Sequence, residues 1–256
     1  MAAEPRARYP SLKDRVVLVT GGASGIGAAI VAAFTAQDAK VAYVDIDVAQ
    51  GERLAARLSA AMHPPLFIRC DLADIDALRA AIVAVRQHFG PIGVLVNNAA
   101  NDERHDVDAV TPEYWDRAQD VNLRHHFFAA QAVRPQMREL GGGSIVNLSS
   151  VAWVLGVPRL IAYATAKAAI VGLTRSLAVE FGGDGIRVNA VAPGAVMTER
   201  QLRLWHDAST TTAFLARQAI HEQVTEEDVA ATILFLASDD SRAMTKQCLT
   251  VDAGLS

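Results

Sequence analysis

Residues 15–27 read Arg-Val-Val-Leu-Val-Thr-Gly-Gly-Ala-Ser-Gly-Ile-Gly, and this stretch decides the fold. Its first part, 15–20, is a short apolar run rich in β-branched residues, which predicts a β-strand. Glycines follow at once, and an alanine-rich stretch of helical period comes after them, so the order is strand, tight turn, helix. The backbone amides at the N-terminus of such a helix favour a negatively charged group. We therefore expect a pyrophosphate to bind at this turn.

A carboxylate follows the second apolar run of the chain. Residues 41–44 predict another strand, and Asp45 comes directly after them, 24 positions beyond the first glycine of the turn. An acidic residue near this spacing accepts the adenosine ribose hydroxyls of NAD. It would also repel the 2′-phosphate of NADP, and Ser24 brings no positive charge to compensate. The sequence thus favours NAD as the cofactor, although the side chain of Arg53 or Lys40 could reach this position and allow NADP as well as NAD.

A second group of reactive side chains lies in the other half of the chain, where Ser150 precedes Tyr163 and Lys167. If the residues after Leu160 form a helix, Tyr163 and Lys167 lie at i and i+4 and project from one face. A free tyrosine has a pKa of ~10, and a neighbouring ammonium favours its phenolate, which can act as a general base. Ser150 could hydrogen-bond the same substrate oxygen. Taken alone, the Tyr-x-x-x-Lys spacing could equally mark an ordinary amphipathic helix.

The chain has the composition of one α/β domain. Its 256 residues are 51% hydrophobic and 20% charged, enough to bury a large core. No linker, charge block or repeat divides it, so we expect a polar N-terminal tail, 1–11, and a single domain over 12–256. Apolar runs alternate with helical stretches, which indicates a three-layer, doubly wound parallel sheet. The predicted strands lie near 15–20, 40–45, 66–70, 92–97, 143–149, 186–191 and 247–251.

Capping residues mark two helix starts. Thr111 followed by Pro112 predicts the N-terminus of a long helix that runs toward Met137. Thr225, followed by three acidic residues, predicts the N-terminus of the last helix. In a parallel sheet of this kind ligands bind at the carboxyl ends of the strands, where the glycine turn, Asp45 and the serine before the tyrosine all fall.

Charge and composition exclude several functions. The formal net charge is −4 and no basic cluster interleaved with aromatic residues occurs, so nucleic acid is not expected as a partner. The N-terminal residues lack an apolar segment and no run of ~18 apolar residues occurs, so we expect no signal peptide, no membrane span and a cytoplasmic protein. Cys70 and Cys248 are expected to be buried, reduced thiols. His125 and His126 would point ~100° apart on a helix, so no metal site is expected.

Several short motifs occur in one order along the chain. They are Thr20-Gly21 with Gly25-Ile26-Gly27, Asn97-Asn98-Ala99, Asn122, Ser150, Tyr163 with Lys167, and Pro193-Gly194. Together they resemble the short-chain dehydrogenase/reductase family, and the likeness runs from about Leu12 to Leu255. The glycines are spaced Gly-x-x-x-Gly-x-Gly, a variant of the general dinucleotide fingerprint. The resemblance implies a Rossmann-like fold of about seven strands and an NAD-dependent dehydrogenase.

The resemblance also implies a reaction. Tyr163 would take the proton of a substrate hydroxyl while the same carbon gives a hydride to the nicotinamide. Ser150 would hold and polarise the reacting oxygen, and Lys167 would bind the nicotinamide ribose and lower the pKa of the tyrosine. Asn122 would hold a water that connects the site to solvent; a polar helix residue without this role is the alternative.

Cofactor contacts are implied along most of the chain. The expected residues are Gly21, Ser24, Gly25, Ile26, Gly27, Asp45, Ile46, Asp71, Leu72, Asn98, Tyr163, Lys167, Pro193, Val196 and Thr198. Asp71 could instead cap a helix, and Asn98 could serve only the local turn. Two positions depart from the family pattern. Ala100 stands where glycine is usual, so the loop should lie tighter against the cofactor or differ in backbone, and Lys246 replaces a usual small residue.

The loops must decide the substrate. Residues 101–105 are five consecutive polar residues beside the expected reaction centre, although a solvated loop is the alternative. With 9–13, 121–125 and Trp153 they resemble bacterial aldose 1-dehydrogenases, particularly the D-xylose type, which oxidise C1 of a cyclic sugar to an aldonolactone. D-xylose, L-arabinose, D-galactose and L-fucose stay open. The expected substrate contacts are Asn101, Ser150, Trp153, Tyr163 and Gln201, the last on a lid around 198–222.

Two other functions stay open. One is a dehydrogenase of the same fold that acts on a polyol, steroid or hydroxyacyl alcohol. The other is a catalytically silent NAD-binding scaffold or sensor, which would not need Ser150, Tyr163 and Lys167 together. The stretches 112–139 and 160–181 carry more apolar surface than one sheet contact needs, and with the family likeness they imply a homotetramer.

Overall fold

The computed structural model describes residues 7–198, 212 and 215–256. Its strands are β1 (Val16–Thr20), β2 (Lys40–Asp45), β3 (Leu66–Arg69), β4 (Val94–Asn97), β5 (Gly143–Leu148), β6 (Ile186–Pro193) and β7 (Cys248–Val251). Within this part of the chain they form one parallel sheet in the order β3-β2-β1-β4-β5-β6-β7. The order reverses between β1 and β4, whose register pairs Thr20 with Asn97. A ligand crevice is expected at such a switch point.

Helices cover both faces of the sheet. They are α1 (Gly25–Ala36), α2 (Val48–Arg57), α3 (Ile75–Phe89), α4 (Pro112–Gln119), α5 (His125–Glu139), α6 (Ala152–Leu155), α7 (Ile161–Phe181) and α8 (Glu226–Ala237). Alternate residues of β1 serve opposite layers. Val17 and Val19 join the apolar cluster that contains α1 and α8, whereas Val16 and Leu18 join the one that contains α3, α5 and α7.

Strand β1 shows why the sequence folds this way. All five of its residues are buried, because both faces of the sheet are covered, and this explains a continuous apolar run in place of an alternating one. Each fully buried Val or Leu side chain contributes roughly 1.5–3 kcal/mol relative to an exposed one. The strand thus fixes the glycine turn that follows it at the edge of a rigid core.

The predicted fold class is confirmed, and the predicted strands match the observed ones within a few residues. Helix α4 begins at Pro112, and Oγ1 of Thr111 accepts a hydrogen bond from the amide of Tyr114 at 3.2 Å. The long helix predicted toward Met137 is, however, interrupted by a π turn over Asp120–Arg124. Helix α8 starts with the predicted cap, where Thr225 and Asp228 bond each other's backbone amides.

Four further findings concern the two cysteines, Lys246, membrane-spanning helices and clusters of metal-ligating side chains. Cys70 is buried as expected, but Cys248 is half-buried because β7 is an edge strand with one neighbour. Lys246 lies in the turn before β7 with a φ of +67°, the left-handed region. No helix in the described ranges combines the length and apolar character needed to cross a membrane. Nor do three His, Cys, Asp or Glu side chains of those ranges converge on one point as a metal site would require.

Candidate active site

A cleft of about 1720 Å³ lies at the carboxyl ends of the strands, where β1 and β4 separate. Its lining includes every residue that the sequence predicted for cofactor binding. These are Gly21, Ser24, Gly25, Ile26, Gly27, Asp45, Ile46, Asp71, Leu72, Asn98, Tyr163, Lys167, Pro193, Val196 and Thr198. The structure thus brings together residues from six strand ends that are up to 177 positions apart in sequence.

The turn after β1 is shaped so that a phosphate can approach its backbone. Gly21 has a φ of +64°, which L side chains rarely adopt, and a Cβ there would lie 2.6 Å from Cα of Ala99. A Cβ on Gly27 would collide with the carbonyl of Gly21. Helix α1 starts at Gly25, and its first residues line the cleft. The residues present therefore fit the pyrophosphate of a dinucleotide.

Asp45 ends β2 at the rim of the cleft. Its Oδ2 accepts a hydrogen bond from the backbone amide of Ala23 at 3.0 Å, and its Oδ1 accepts one from the amide of Asp47 at 3.0 Å. An ionised carboxylate has about four acceptor sites, so both oxygens can still accept from ribose hydroxyls. The carboxylate is fixed in place before any ligand binds.

Two of the predicted cofactor residues also have local structural roles. Oδ1 of Asp71 accepts from the amide of Ala73 at 3.0 Å in the turn after β3, whereas the residue that caps α3 is Asp74 and not Asp71, as the alternative had it. Nδ2 of Asn98 donates to the carbonyls of Thr20 and Gly21, at 3.0 and 2.8 Å, and thereby joins the end of β4 to the glycine turn. Both residues still line the cleft, so the structural role and the proposed contact are compatible.

Helix α7 brings Tyr163 and Lys167 together, as their spacing predicted. Nζ of Lys167 lies 5.4 Å from the centre of the Tyr163 ring and donates to the carbonyl of Leu148 at 2.7 Å. Oγ of Ser149 donates to the carbonyl of Lys167 at 2.7 Å and ties the helix to β5. Burial lowers the pKa of Lys167 from 10.5 to about 7, and the charge of Asp102 opposes this shift.

Ser150 lies directly after the residue that anchors α7. Its Oγ accepts from the amide of Ala152 at 3.1 Å, and its side chain lines the same cleft as Tyr163 and Lys167. A hydroxyl, a phenol and a buried ammonium in one cleft can hold an alcohol oxygen and move its proton.

Asn122 lies in the π turn, behind the wall of the cleft and not among the residues that line it within the described part of the chain. Its Oδ1 accepts from the amide of Asn101 at 2.8 Å, and its Nδ2 donates to the carbonyl of Asn101 at 3.1 Å and to that of Ala118 at 2.9 Å. The side chain therefore holds the backbone of the loop after β4.

The loop after β4 is anchored at both ends. At one end, Asn122 holds Asn101. At the other end, the backbone amide of His105 donates to the carbonyl of Arg159 at 2.9 Å. The hydroxyl of Tyr114 also lies 3.1 Å from Nδ1 of His105. Between these ends Asp102 and Arg104 line the cleft, whereas Glu103 does not. The sequence predicts a polar loop at this position but does not predict which of its side chains face the cleft.

The predicted substrate contacts have three different outcomes. Asn101, Ser150 and Tyr163 line the cleft. Trp153 lies on α6 with 41% of its surface exposed and is not among the described lining residues. Gln201 and most of the predicted lid over 198–222 lie outside the described residues.

Ala100 lies on the cleft side of the same loop. It is exposed, it lines the cleft, and its φ is not among the positive values of the described non-glycine residues. The position therefore does not need the conformational freedom of glycine here, and alanine is accommodated without backbone strain.

The chain is similar to known proteins over nearly its whole length. The sequence model of the family described as enoyl-(acyl carrier protein) reductase matches residues 21–256. The chain is 49% identical to a protein of Rhizobium meliloti described as probable galactose dehydrogenase GalD, over 98% of both chains. It is 45% identical to D-xylose 1-dehydrogenase of Caulobacter vibrioides, over 97% of this chain and 98% of that one.

A solved structure gives the same result at the level of the fold. The structure of a short-chain type dehydrogenase/reductase from Mycobacterium ulcerans has a TM-score of 0.91 and 29% identity, and the match covers 96% of this chain and 90% of that one. The shared fold, the family match and the near full-length identities agree with one another. The chain therefore belongs to the short-chain dehydrogenase/reductase family and is an oxidoreductase of the kind that uses a nicotinamide cofactor.

Proposed function

We propose that this protein is an NAD-dependent dehydrogenase that oxidises C1 of an aldose to the aldonolactone. The observation that carries the proposal is the convergence of Ser150, Tyr163 and Lys167 with the polar loop 101–105 in one cleft. The two relatives named above, one described as a probable galactose dehydrogenase and one as a D-xylose 1-dehydrogenase, support a sugar as the substrate.

The choice of NAD rests on Asp45. Its carboxylate is fixed at the rim of the cleft by the amides of Ala23 and Asp47. A fixed negative charge accepts ribose hydroxyls but repels a 2′-phosphate. The glycine turn would hold the pyrophosphate, and the residues near Tyr163 would hold the nicotinamide end. When bound, the cofactor supplies the hydride acceptor that the protein itself lacks.

The protein's own groups would move the proton. Tyr163 takes the proton of the C1 hydroxyl, and Lys167, 5.4 Å from the ring centre, favours the phenolate in its protonated form. Ser150 donates its hydroxyl proton to the substrate oxygen or accepts from it, and so orients that oxygen toward the phenol. Asn122 acts on the loop backbone at Asn101 in this structure, which makes a positioning role part of the proposal.

The substrate would lie between this group and the loop after β4. Asn101, Asp102 and Arg104 all line that side of the cleft. Carboxylate, amide and guanidinium groups suit a molecule with several hydroxyls, because each can hydrogen-bond one or two of them. Galactose and D-xylose differ in size, so both pentoses and hexoses belong in the first test.

We also propose a homotetramer. Large apolar side chains are exposed on α5 and α7, with Phe127 at 41% and Val179 at 69% exposure. Sizing of the purified protein tests this assembly, since a stable monomer near 27.3 kDa contradicts it.

The activity is tested by following NADH formation with purified protein, NAD and a panel of aldoses, with polyols and simple secondary alcohols alongside. We expect turnover of at least one aldose and a loss of about 10²–10⁴-fold in Tyr163→Phe, because that variant lacks the acid-base group. Tyr43→Phe, which removes a phenol that bonds the carbonyl of Gly51 in the core and does not line the cleft in the described residues, is the matched control. Turnover of only non-sugar alcohols would contradict the aldose proposal, and cofactor binding without any turnover would support the scaffold alternative.

A further inference from the structure

The backbone after β4 is held from two directions. On the side of β1, Oγ1 of Thr20 accepts from the amides of Asn98 and Ala99 at 3.0 and 3.2 Å. On the opposite side, the π turn and the start of α5 supply Asn122, which holds Asn101, and His125, which faces Ala99. The segment 98–101 is thus fixed by named bonds at three of its four residues.

His125 is fully buried, and its Nε2 lies 3.2 Å from the carbonyl oxygen of Ala99. A carbonyl only accepts, so the bond requires a proton on Nε2. Burial, followed by the charge of Lys167, lowers the pKa of His125 to about 3, so the ring is neutral near neutral pH and has a single donor. Two backbone groups near the ring, Ala99 and then Val121, oppose this fall in pKa. Of these, the bond from Nε2 to Ala99 has an ordinary distance and angle, whereas Nδ1 has no such partner among the described residues. The single donor of this ring is therefore assigned to Ala99.

The position of Ala99 matters to the cleft because Gly21 packs directly on it. A Cβ on Gly21 would come within 2.6 Å of Cα of Ala99, and both residues line the cleft. A shift of Ala99 would therefore displace the glycine turn that receives the pyrophosphate.

We propose that His125 is a positioning residue for cofactor binding, which holds the Ala99 carbonyl through Nε2 and thereby sets the spacing between the loop after β4 and the glycine turn. The neighbouring His126 provides the comparison. It is equally buried, but its Nδ1 lies 3.4 Å from Oδ1 of Asn147 inside the core and it does not line the cleft in the described part of the chain.

Substitution of His125 by Gln or by Asn distinguishes the effect of the Nε2 donor from the effect of filling the buried space. The amide nitrogen of Gln is as many bonds from the backbone as Nε2 of His, whereas that of Asn corresponds to Nδ1 and falls short of Ala99. We expect His125→Asn to weaken NADH binding about 5- to 10-fold and to raise KM for NAD more than it lowers kcat, since one hydrogen bond is lost. His125→Gln should stay within about 2-fold of the wild type, as should His126→Asn.

NADH binding is measured by fluorescence titration of the purified variants, with thermal unfolding recorded on each. Equal weakening by Gln and Asn at 125, or none by either, would overturn the proposal. If His125→Asn does not fold, ¹⁵N NMR of histidine-labelled wild type decides, because a proton on Nδ1 in place of Nε2 refutes the bond. If the wild type binds NADPH more tightly than NADH, the proposal that NAD is the cofactor is wrong. The variants at 125 and 126 are then compared with the wild type by titration with NADPH.

Discussion

The carboxylate of Asp45 and the backbone amide of Ala23 are 3.0 Å apart, so the acid proposed to choose the cofactor also supports the glycine turn. Asp45→Ser removes the charge that repels a 2′-phosphate and the acceptors of two amides. We expect the ratio of kcat/KM for NADP to that for NAD to rise at least about 10-fold. The free energy of unfolding should fall by about 1–3 kcal/mol, because two backbone donors lose a charged acceptor.

Asp47→Ser is the matched control for that prediction. It removes a negative charge two residues away, where serine can still cap α2 in place of the aspartate. Cofactor preference should stay as in the wild type. An equal change of preference in both variants would show that general charge near the rim, and not the Asp45 carboxylate, selects the cofactor.

Burial of Lys167 makes stability depend on pH. Its pKa falls from 10.5 to about 7 in the folded protein, so between these values the unfolded chain holds a proton that the folded protein lacks. Stability of the cofactor-free protein should therefore rise with pH across this window, by up to about 1.4 kcal/mol per pH unit from this group.

The contribution of Lys167 is isolated by substitution. Urea unfolding at pH values of about 7 and about 9 should show a smaller rise in the midpoint for Lys167→Met than for the wild type. Lys13→Met, which removes an exposed ammonium, should keep the wild-type rise. The expectation is wrong if the lysine at 167 can be removed without changing the pH dependence.

Lys246 and Arg242 allow a test of backbone strain in one loop. Both are exposed and basic, but Lys246 has a φ of +67° whereas Arg242 has a φ of −54°. The left-handed conformation costs a residue with an L side chain about 1 kcal/mol. Lys246→Gly removes this cost and should raise Tm. Arg242→Gly loses the same charge and only adds freedom to the unfolded chain, so Tm should fall. A fall of Tm in both variants would show that the turn carries no strain.

Arg104 should determine how well the enzyme holds a sugar. Its side chain lines the cleft, and a hydrogen bond from a guanidinium to a hydroxyl contributes about 1.5–3 kcal/mol. Arg104→Met should therefore raise KM for the preferred aldose about 10-fold or more and leave simple secondary alcohols unaffected. Arg117→Met, which removes an exposed charge from α4, should not change KM. An unchanged KM in both variants would remove Arg104 from the substrate site.

Much of the fold could be predicted because its signals are local. The glycines after β1, the acid that ends β2 and the i, i+4 spacing of Tyr163 and Lys167 act within a few residues, and the structure places each as expected. Strand ends in a parallel sheet then converge by topology alone.

What the sequence could not predict depends on packing between elements. The π turn over Asp120–Arg124 has no residue signature, and the partner of His125 is known only once α5 lies beside β4. The resemblance to aldose 1-dehydrogenases predicts Trp153 at the substrate, whereas the short helix α6 leaves it exposed and outside the described lining. Burial of Cys248 was overestimated because edge strands cannot be recognised from one strand alone.

The π turn makes the length of this helical region as important as its composition. A π turn holds one residue more than an α turn, so it takes up the extra residue locally and leaves the helices on either side of it in phase. Deletion of one residue within Asp120–Arg124 would restore a continuous α-helix and leave α5 packed in the core. The side chains of the turn would change direction, however, and Asn122 would no longer face Asn101. The additional residue therefore serves the loop beside the cleft, and a shortened protein would keep its fold while losing the support of that loop.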